Sequence, residues 1–161
     1  MYSLPDFGFD PQLDLRLERD LDLPVGLVWK AWTEPEHLIH WFTPDPWRTT
    51  DAQIDLRPGG KFQTTMCSPE GEENTETGCF LEVLVQQRLV WTTALLPGYR
   101  PSNNPFMTAI LTFKDLGQST HFTALVRHWD SKTREEHEKM GFAQGWSAAT
   151  DQLVAHMKGQ R

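Results

Sequence analysis

From Thr133 to Met157 the chain has no proline, and Phe142, Trp146, Ala149 and Leu153 recur at helical spacing. Before Thr133 most apolar residues instead alternate with a period of two. This switch predicts one long amphipathic helix, roughly Arg134 to Met157, opened by Thr133 and Glu136 as a capping box. A lone long helix needs a surface for its apolar face, and strands are the only other extended elements. The expected class is therefore α+β, with a curved antiparallel sheet of about seven strands wrapped around the C-terminal helix.

Leu13, Leu15, Leu17, Leu21 and Leu23 alternate with charged residues and mark a first strand buried on its odd face. Arg19 stands on that apolar face and needs either a partner or a wet space. After Pro24, the residues Val25, Val28, Trp29 and Trp32 predict a short helix. Thr33, Pro35 and Glu36 then open a second one carrying Leu38, Ile39, Trp41 and Phe42, which Pro44 and Pro46 stop.

Three hairpins follow. Ala52 to Leu56 pairs with Phe62 to Met66 through Pro58, Gly59 and Gly60. Gly78 to Val85 pairs with Arg88 to Leu95 across Gln86 and Gln87, a register that sets Glu82 opposite Trp91, Phe80 opposite Thr93 and Leu84 opposite Leu89. It also places Cys67 and Cys79 nearly opposite each other on adjacent strands. Phe106 to Lys114 pairs with Ser119 to Trp129. Matching Lys114 to Ser119 puts Met107, Ala109, Leu111 and Phe113 on one face with Phe122, Ala124, Val126 and His128.

At 161 residues the chain has the size of one domain, expected over 12–161 behind an N-terminal extension at 1–11. Fifteen Lys plus Arg against 22 Asp plus Glu give a net charge of -7, which argues against nucleic acid and anionic membranes as partners. No stretch is long and apolar enough to span a bilayer, and Met1 to Pro11 does not read as a signal peptide. With two cysteines, both expected to be reduced, the expectation is a cytoplasmic protein.

The run Val25 to Pro44, "VGLVWKAWTEPEHLIHWFTP", the turn Asp55 to Phe62, "DLRPGGKF", the segment Gly78 to Thr92, "GCFLEVLVQQRLVWT", and Glu138 to Trp146, "EKMGFAQGW", follow one another in this order. Together they resemble the family named after the activator of the heat shock protein 90 ATPase, over roughly residues 13–157. That family sits within the START and birch-pollen-allergen-like superfamily. The resemblance implies a helix-grip fold, the curved sheet around the long helix already read from the periodicity. It also implies a hydrophobic cavity for a small molecule, the property shared by the lipid carriers, hormone receptors and cyclases of that superfamily. The eukaryotic co-chaperone that gives the name resembles this chain only through its C-terminal domain, so a counterpart of its chaperone-binding domain, and with it chaperone activation, is not expected.

On the inner face that these registers define, the polar side chains are Arg19, Thr64, Glu82, Thr93 and His128. With Trp41, Phe62, Trp91 and Trp146 as apolar wall, His137 at one mouth and Gly141 where helix and sheet approach, they form the candidate ligand-binding set. Arg19 and Glu82 satisfying each other is the structural alternative. His37 and His40 stand three apart, but no HExxH motif or carboxylate pair completes a metal site, so neither metal nor other cofactor is expected. There is no GxSxG elbow, P-loop or GxGxxG, and no residue is singled out as catalytic.

The leading expectation is a protein that binds a small apolar or lipid-like molecule. Two alternatives stand beside it: an enzyme of cyclase or hydratase type using pocket acid and base groups, and an interaction module acting as a homodimer or co-chaperone-like partner. An enclosed cavity on which Arg19, Glu82 and His128 converge would favour the first two, and a filled core the third.

Overall fold

A computed structural model describes residues 6–160. Strand β1 (Asp14–Leu21) leads into helices α1 (Val25–Thr33) and α2 (Pro35–Leu38). Strands β2 (Arg48–Ile54), β3 (Lys61–Cys67), β4 (Glu73–Leu84) and β5 (Arg88–Thr92) follow. Two-residue strands β6 (Leu95–Leu96) and β7 (Arg100–Pro101) pair only with each other, before β8 (Thr108–Asp115), β9 (Thr120–Arg127) and helices α3 (Ser131–Lys139) and α4 (Phe142–Lys158). The seven longer strands form one antiparallel sheet in the order β1-β9-β8-β5-β4-β3-β2. Beyond α1 and α2, α4 is the element that covers the inner face, and it packs against β1 and α1.

The inner face is apolar because every second residue of each strand turns the same way. Ala109, Leu111 and Phe113 of β8 face Val126, Ala124 and Phe122 of β9, all buried, and Leu89 and Trp91 continue the layer on β5. The observed β8–β9 ladder joins Asp115 to Thr120, so the connection sits one residue later than the sequence suggested. That moves each partner by two and leaves every side chain on its expected face.

The β4–β5 hairpin departs more sharply. Its ladder starts at Leu84 opposite Arg88, so three residues, Val85 to Gln87, make the turn, with Gln86 at φ +60°. A bulge between Phe80 and Glu82 then restores Phe80 opposite Trp91 on the inner face. Glu82 ends up opposite Val90, on the outer face. The expected inward placement of Glu82 is thus wrong by one residue of register, which in a strand is a change of face.

The single helix expected over Arg134 to Met157 is two. Gly141 at φ +93° breaks it, and the backbone turns there before α4 begins. The helix start lies earlier as well: Asp130 caps α3, its carboxylate accepting the Thr133 N–H at 2.8 Å. At the other expected capping box, Thr33 closes α1 and donates its hydroxyl to the Trp29 carbonyl. Cys67 is opposite Glu73 and Cys79 opposite Lys61, at the two ends of the β3–β4 ladder, so they are not neighbours; both are buried free thiols.

Candidate functional site

At the end of β9, His128 is fixed to the residue preceding β1. Its backbone N–H donates to the Leu13 carbonyl at 3.1 Å, and its ring Nδ1 lies 2.8 Å from the same oxygen. A carbonyl only accepts, so Nδ1 carries the proton and Nε2 a lone pair. His137 of α3 sets its own Nδ1 2.9 Å from that lone pair and donates to it. Both rings are 7% exposed. Burial pushes the His137 imidazole down to about 4, with the neighbouring His128 acting in the same direction. His128 is lowered too, chiefly by burial, although its bond to Leu13 and the nearby Asp14 charge oppose this.

From His137 a row of rings runs into the interior. His137 packs on Phe106 with centroids 4.7 Å apart and meets Phe142 edge-on at 5.2 Å. Phe142 lies 5.3 Å from Trp146, and Trp146 stacks nearly parallel to Trp91 at 6.4 Å. Phe62 stacks on Phe80 and meets Trp91 edge-on. These aromatics fill the space between α4 and the sheet.

Trp32 of α1 is the hub of this cluster. Trp41 lies 4.7 Å away, Trp91 5.4 Å, Phe42 5.9 Å, Phe122 6.1 Å and Trp146 6.5 Å. The Trp41 indole N–H has the Ala31 carbonyl as acceptor at 3.1 Å. The Trp32 indole N–H, on a residue 2% exposed, has no acceptor among the described residues. An unmet buried donor of this kind costs about 1–3 kcal/mol.

The other expected site residues have different surroundings. Arg19 does point from the inner face of β1, but its Nη1 donates to the Ser147 carbonyl and its Nη2 pairs with Asp151 of α4 at 2.7 Å. Glu82 forms its ion pair with Arg88 on the outer face, where the Arg88 guanidinium lies over the Phe7 ring. Arg19 and Glu82 therefore neither meet each other nor converge with His128. Thr64 is buried between Ala52 and Glu76 in the ladder. Thr93 uses its hydroxyl to accept the backbone N–H groups of Phe106 and Met107, which fixes the chain entering β8. Gly141 supplies the break before α4, with no atom closer than 3.9 Å to the place of a side chain.

Asp151, the partner of Arg19, lies 132 residues away, and no residue spacing points to it. With Arg19 29% exposed and Asp151 67% exposed at the side chain, their pair is solvent-screened. Arg19→Met is expected to cost no more than about 1 kcal/mol in urea unfolding, with the loss shrinking in high salt. A loss several times larger would mean that the Ser147 contact or packing dominates.

His37 and His40, expected to be structural, bracket a third histidine. His37 Nδ1 lies 3.1 Å from His156 Nε2, and His40 stacks on the same ring at 4.6 Å. No group of three metal-ligating side chains is found among the described residues. Two cavities lie away from the aromatic interior. One is a groove of about 610 Å³ between the Asp55 to Lys61 turn and Pro97 to Tyr99. The other is a cleft of about 290 Å³ between residues 6–9 and the outer face at Ile110 and Leu125.

A seven-stranded antiparallel sheet closed by a long C-terminal helix is the helix-grip fold of the START-like superfamily. The chain belongs to the family of activator of Hsp90 ATPase homolog 1-like proteins, which matches residues 22–158. A crystal structure of a Nitrosomonas europaea protein is 45% identical, covers 94% of this chain and 98% of its own, and superposes with a TM-score of 0.92. A Mycobacterium smegmatis protein at 23% identity, covering 89% of this chain and 90% of its own, gives 0.75. The solution structure of an AHSA1-like protein of Aeromonas hydrophila at 18% identity, covering 91% and 94%, gives 0.65, and these last two show likeness of fold alone. No curated protein matches the chain. The fold of this family is in general a ligand-binding one, and among the described residues no helix is long and apolar enough to cross a membrane.

Proposed function

We propose that the protein binds a small, largely apolar molecule in the aromatic interior between α4 and the sheet, with the Trp32 indole N–H as its polar anchor. The observation that carries this reading is the unmet donor: Nε1 of Trp32 is buried among five aromatic neighbours and has no protein acceptor among the described residues. A ligand oxygen placed there would satisfy it while its apolar body replaces ring-to-ring contacts. Binding requires rings to give way, and Trp146 and Phe42, both only half-buried, border the cluster where it is least enclosed. The separation of Arg19, Glu82 and His128 removes the convergence that was to favour both the ligand-binding and the cyclase-like readings, so the binding reading rests on the unmet Trp32 donor.

Benzophenone, an aromatic ketone with one acceptor and no donor, tests this against diphenylmethane, which lacks the acceptor. Calorimetric titration is expected to show the wild-type protein preferring the ketone by about tenfold, a difference of about 1.4 kcal/mol, and Trp32→Phe losing that preference. Native mass spectrometry of freshly purified protein should in addition show a bound small molecule that is depleted in the variant. No binding of the ketone by the wild-type protein, or an unchanged preference in Trp32→Phe, would overturn the reading.

A further inference from the structure

We propose that the groove between the Asp55 to Lys61 turn and the Pro97 to Tyr99 turn is a second binding site, one that takes a small aromatic ring carrying an anionic group. This site is separate from the aromatic interior and does not depend on it.

Five of the eight residues from Asp55 to Phe62 line the groove, which has a volume of about 610 Å³. Gly59 and Gly60 shape the turn, but Arg57 and Lys61 take no part in the core. Arg57 is bonded through Nε to Asp55 at 2.8 Å, in a pair exposed on both sides, and its Nη groups make no hydrogen bond among the described residues. Lys61 Nζ donates to the Gln53 amide oxygen at 3.2 Å, an uncharged partner. Gln53 in turn donates to Asp51 at 3.5 Å, but Asp51 is not a wall of the groove. The walls therefore hold two cations, Arg57 and Lys61, against one carboxylate, Asp55. This is a local excess of positive charge in a chain of net charge -7.

Tyr99 forms the facing wall, and its backbone is strained. Its φ is +63°, a left-handed conformation that a bulky side chain rarely adopts. The ring lies so close to Gly59 that a side-chain carbon there would fall 2.9 to 3.4 Å from three of its atoms. The Gly98 N–H donates to the Gly59 carbonyl at 2.8 Å and ties the two turns together. Strain held in place by its surroundings gathers at ligand clamps. Glycine or asparagine would fill this turn position more easily, so the turn itself does not account for the tyrosine. Its ring is 51% exposed, which leaves it surface to offer a ligand. A planar ring stacks on Tyr99, while its anionic group takes charge-assisted hydrogen bonds from Lys61 and the unused edge of Arg57. A neutral ring gains the stacking alone, and a bare anion the charge alone. An aromatic cation is disfavoured, because the two cations outnumber Asp55.

Proton–nitrogen NMR of the full chain at pH 7, titrated with phenyl phosphate, benzyl alcohol and inorganic phosphate, tests the site. Phenyl phosphate is expected to shift the backbone amides of Lys61, Gly98 and Tyr99 saturably, with an affinity at least about tenfold above that of either other compound and falling as salt is raised. Benzoate binding as tightly as phenyl phosphate points to a carboxylate source and weaker binding to a phosphate source, and both support the site. Lys61→Gln should lower the phenyl phosphate affinity by about tenfold while leaving benzyl alcohol unaffected. Tyr99→Asn, a residue that this backbone conformation tolerates, should reduce phenyl phosphate to the level of inorganic phosphate. No saturable shift at the groove amides, equal binding of benzyl alcohol, or an affinity unchanged in both variants would overturn the proposal. Shifts confined to the indole signals of Trp32 and Trp146 would overturn the groove site while leaving the interior site standing.

Discussion

Gly60→Ala is expected to destabilise the protein by about 3 kcal/mol or more, at the upper end of what forced overpacking costs and a large part of a typical total stability. A methyl group on Gly60 would lie 1.9 Å from the Asp55 carbonyl oxygen and 2.9 Å from that of Arg57, and both are backbone atoms that cannot swing away. The same turn is tied down on every side. Gly60 N–H donates to Arg57, Phe80 N–H donates to Gly60, and Asp55 N–H donates to Lys61. Relieving the clash would therefore break the β2–β3 connection and its link to β4 together. Gly59→Ala is the informative comparison. Its φ of +82° costs a side chain about 1–2 kcal/mol, but the atom it would crowd belongs to the movable ring of Tyr99. Urea unfolding should rank Gly60→Ala clearly below Gly59→Ala, and the reverse order would show that the turn relaxes in a way this geometry does not allow.

That turn was legible in the sequence because Pro-Gly-Gly between two period-two segments has few structural meanings. The face assignments of β1, β3, β8 and β9 were legible for a related reason. Alternation survives an error of two residues in pairing, as the β8–β9 ladder shows. It does not survive an error of one. In β4 a three-residue turn and a bulge, neither marked by glycine or proline at Leu81, carried Glu82 to the outer face, where Arg88 completes it. The helix break was hidden for another reason. Phe142, Trp146, Ala149 and Leu153 all lie within α4, so their spacing says nothing about whether α3 continues in line. Only the left-handed backbone at Gly141 decides that, and glycine occurs within helices as well as at their ends.

The candidate site was legible as a set of rings and only in part as chemistry. Trp41, Phe62, Trp91 and Trp146 were assignable to the interior from strand and helix faces, and all four are found in the aromatic cluster. The atom on which the proposed function depends, the Trp32 indole nitrogen, was not. Whether the indole of Trp32 or that of Trp41 finds a carbonyl is settled by a 3.1 Å approach to Ala31, and both residues look alike in a sequence. His128 and His137 each appeared as isolated histidines, because a hydrogen bond between nitrogens on a strand end and on α3 leaves no pattern in residue spacing.

Acidification from pH 7 to pH 4 should weaken the folded state by about 3 kcal/mol through His137 alone. In the unfolded chain this imidazole takes up its proton near 6.5, but in the folded protein burial and His128 hold it down to about 4. Between those values the unfolded state binds more protons than the folded state, so stability is lost as pH falls through that window and is fully present above it. His128 and His156, both lowered mainly by burial, act in the same direction. His121 acts oppositely: Asp20 and Glu18 raise it, so its contribution is present in acid and fades as pH rises through its folded value, but it is exposed and its carboxylate partners are screened by solvent. Comparing urea unfolding of the wild-type protein with that of His137→Gln at pH 7.5, 6, 5 and 4.5 isolates the effect, since carboxylate protonation affects both proteins alike. The variant should show a clearly shallower loss between pH 6.5 and 4.5. Parallel curves for the two proteins would mean that His137 accepts a proton in the folded state as readily as in water, and the neutral, tautomer-locked pair would have to be abandoned.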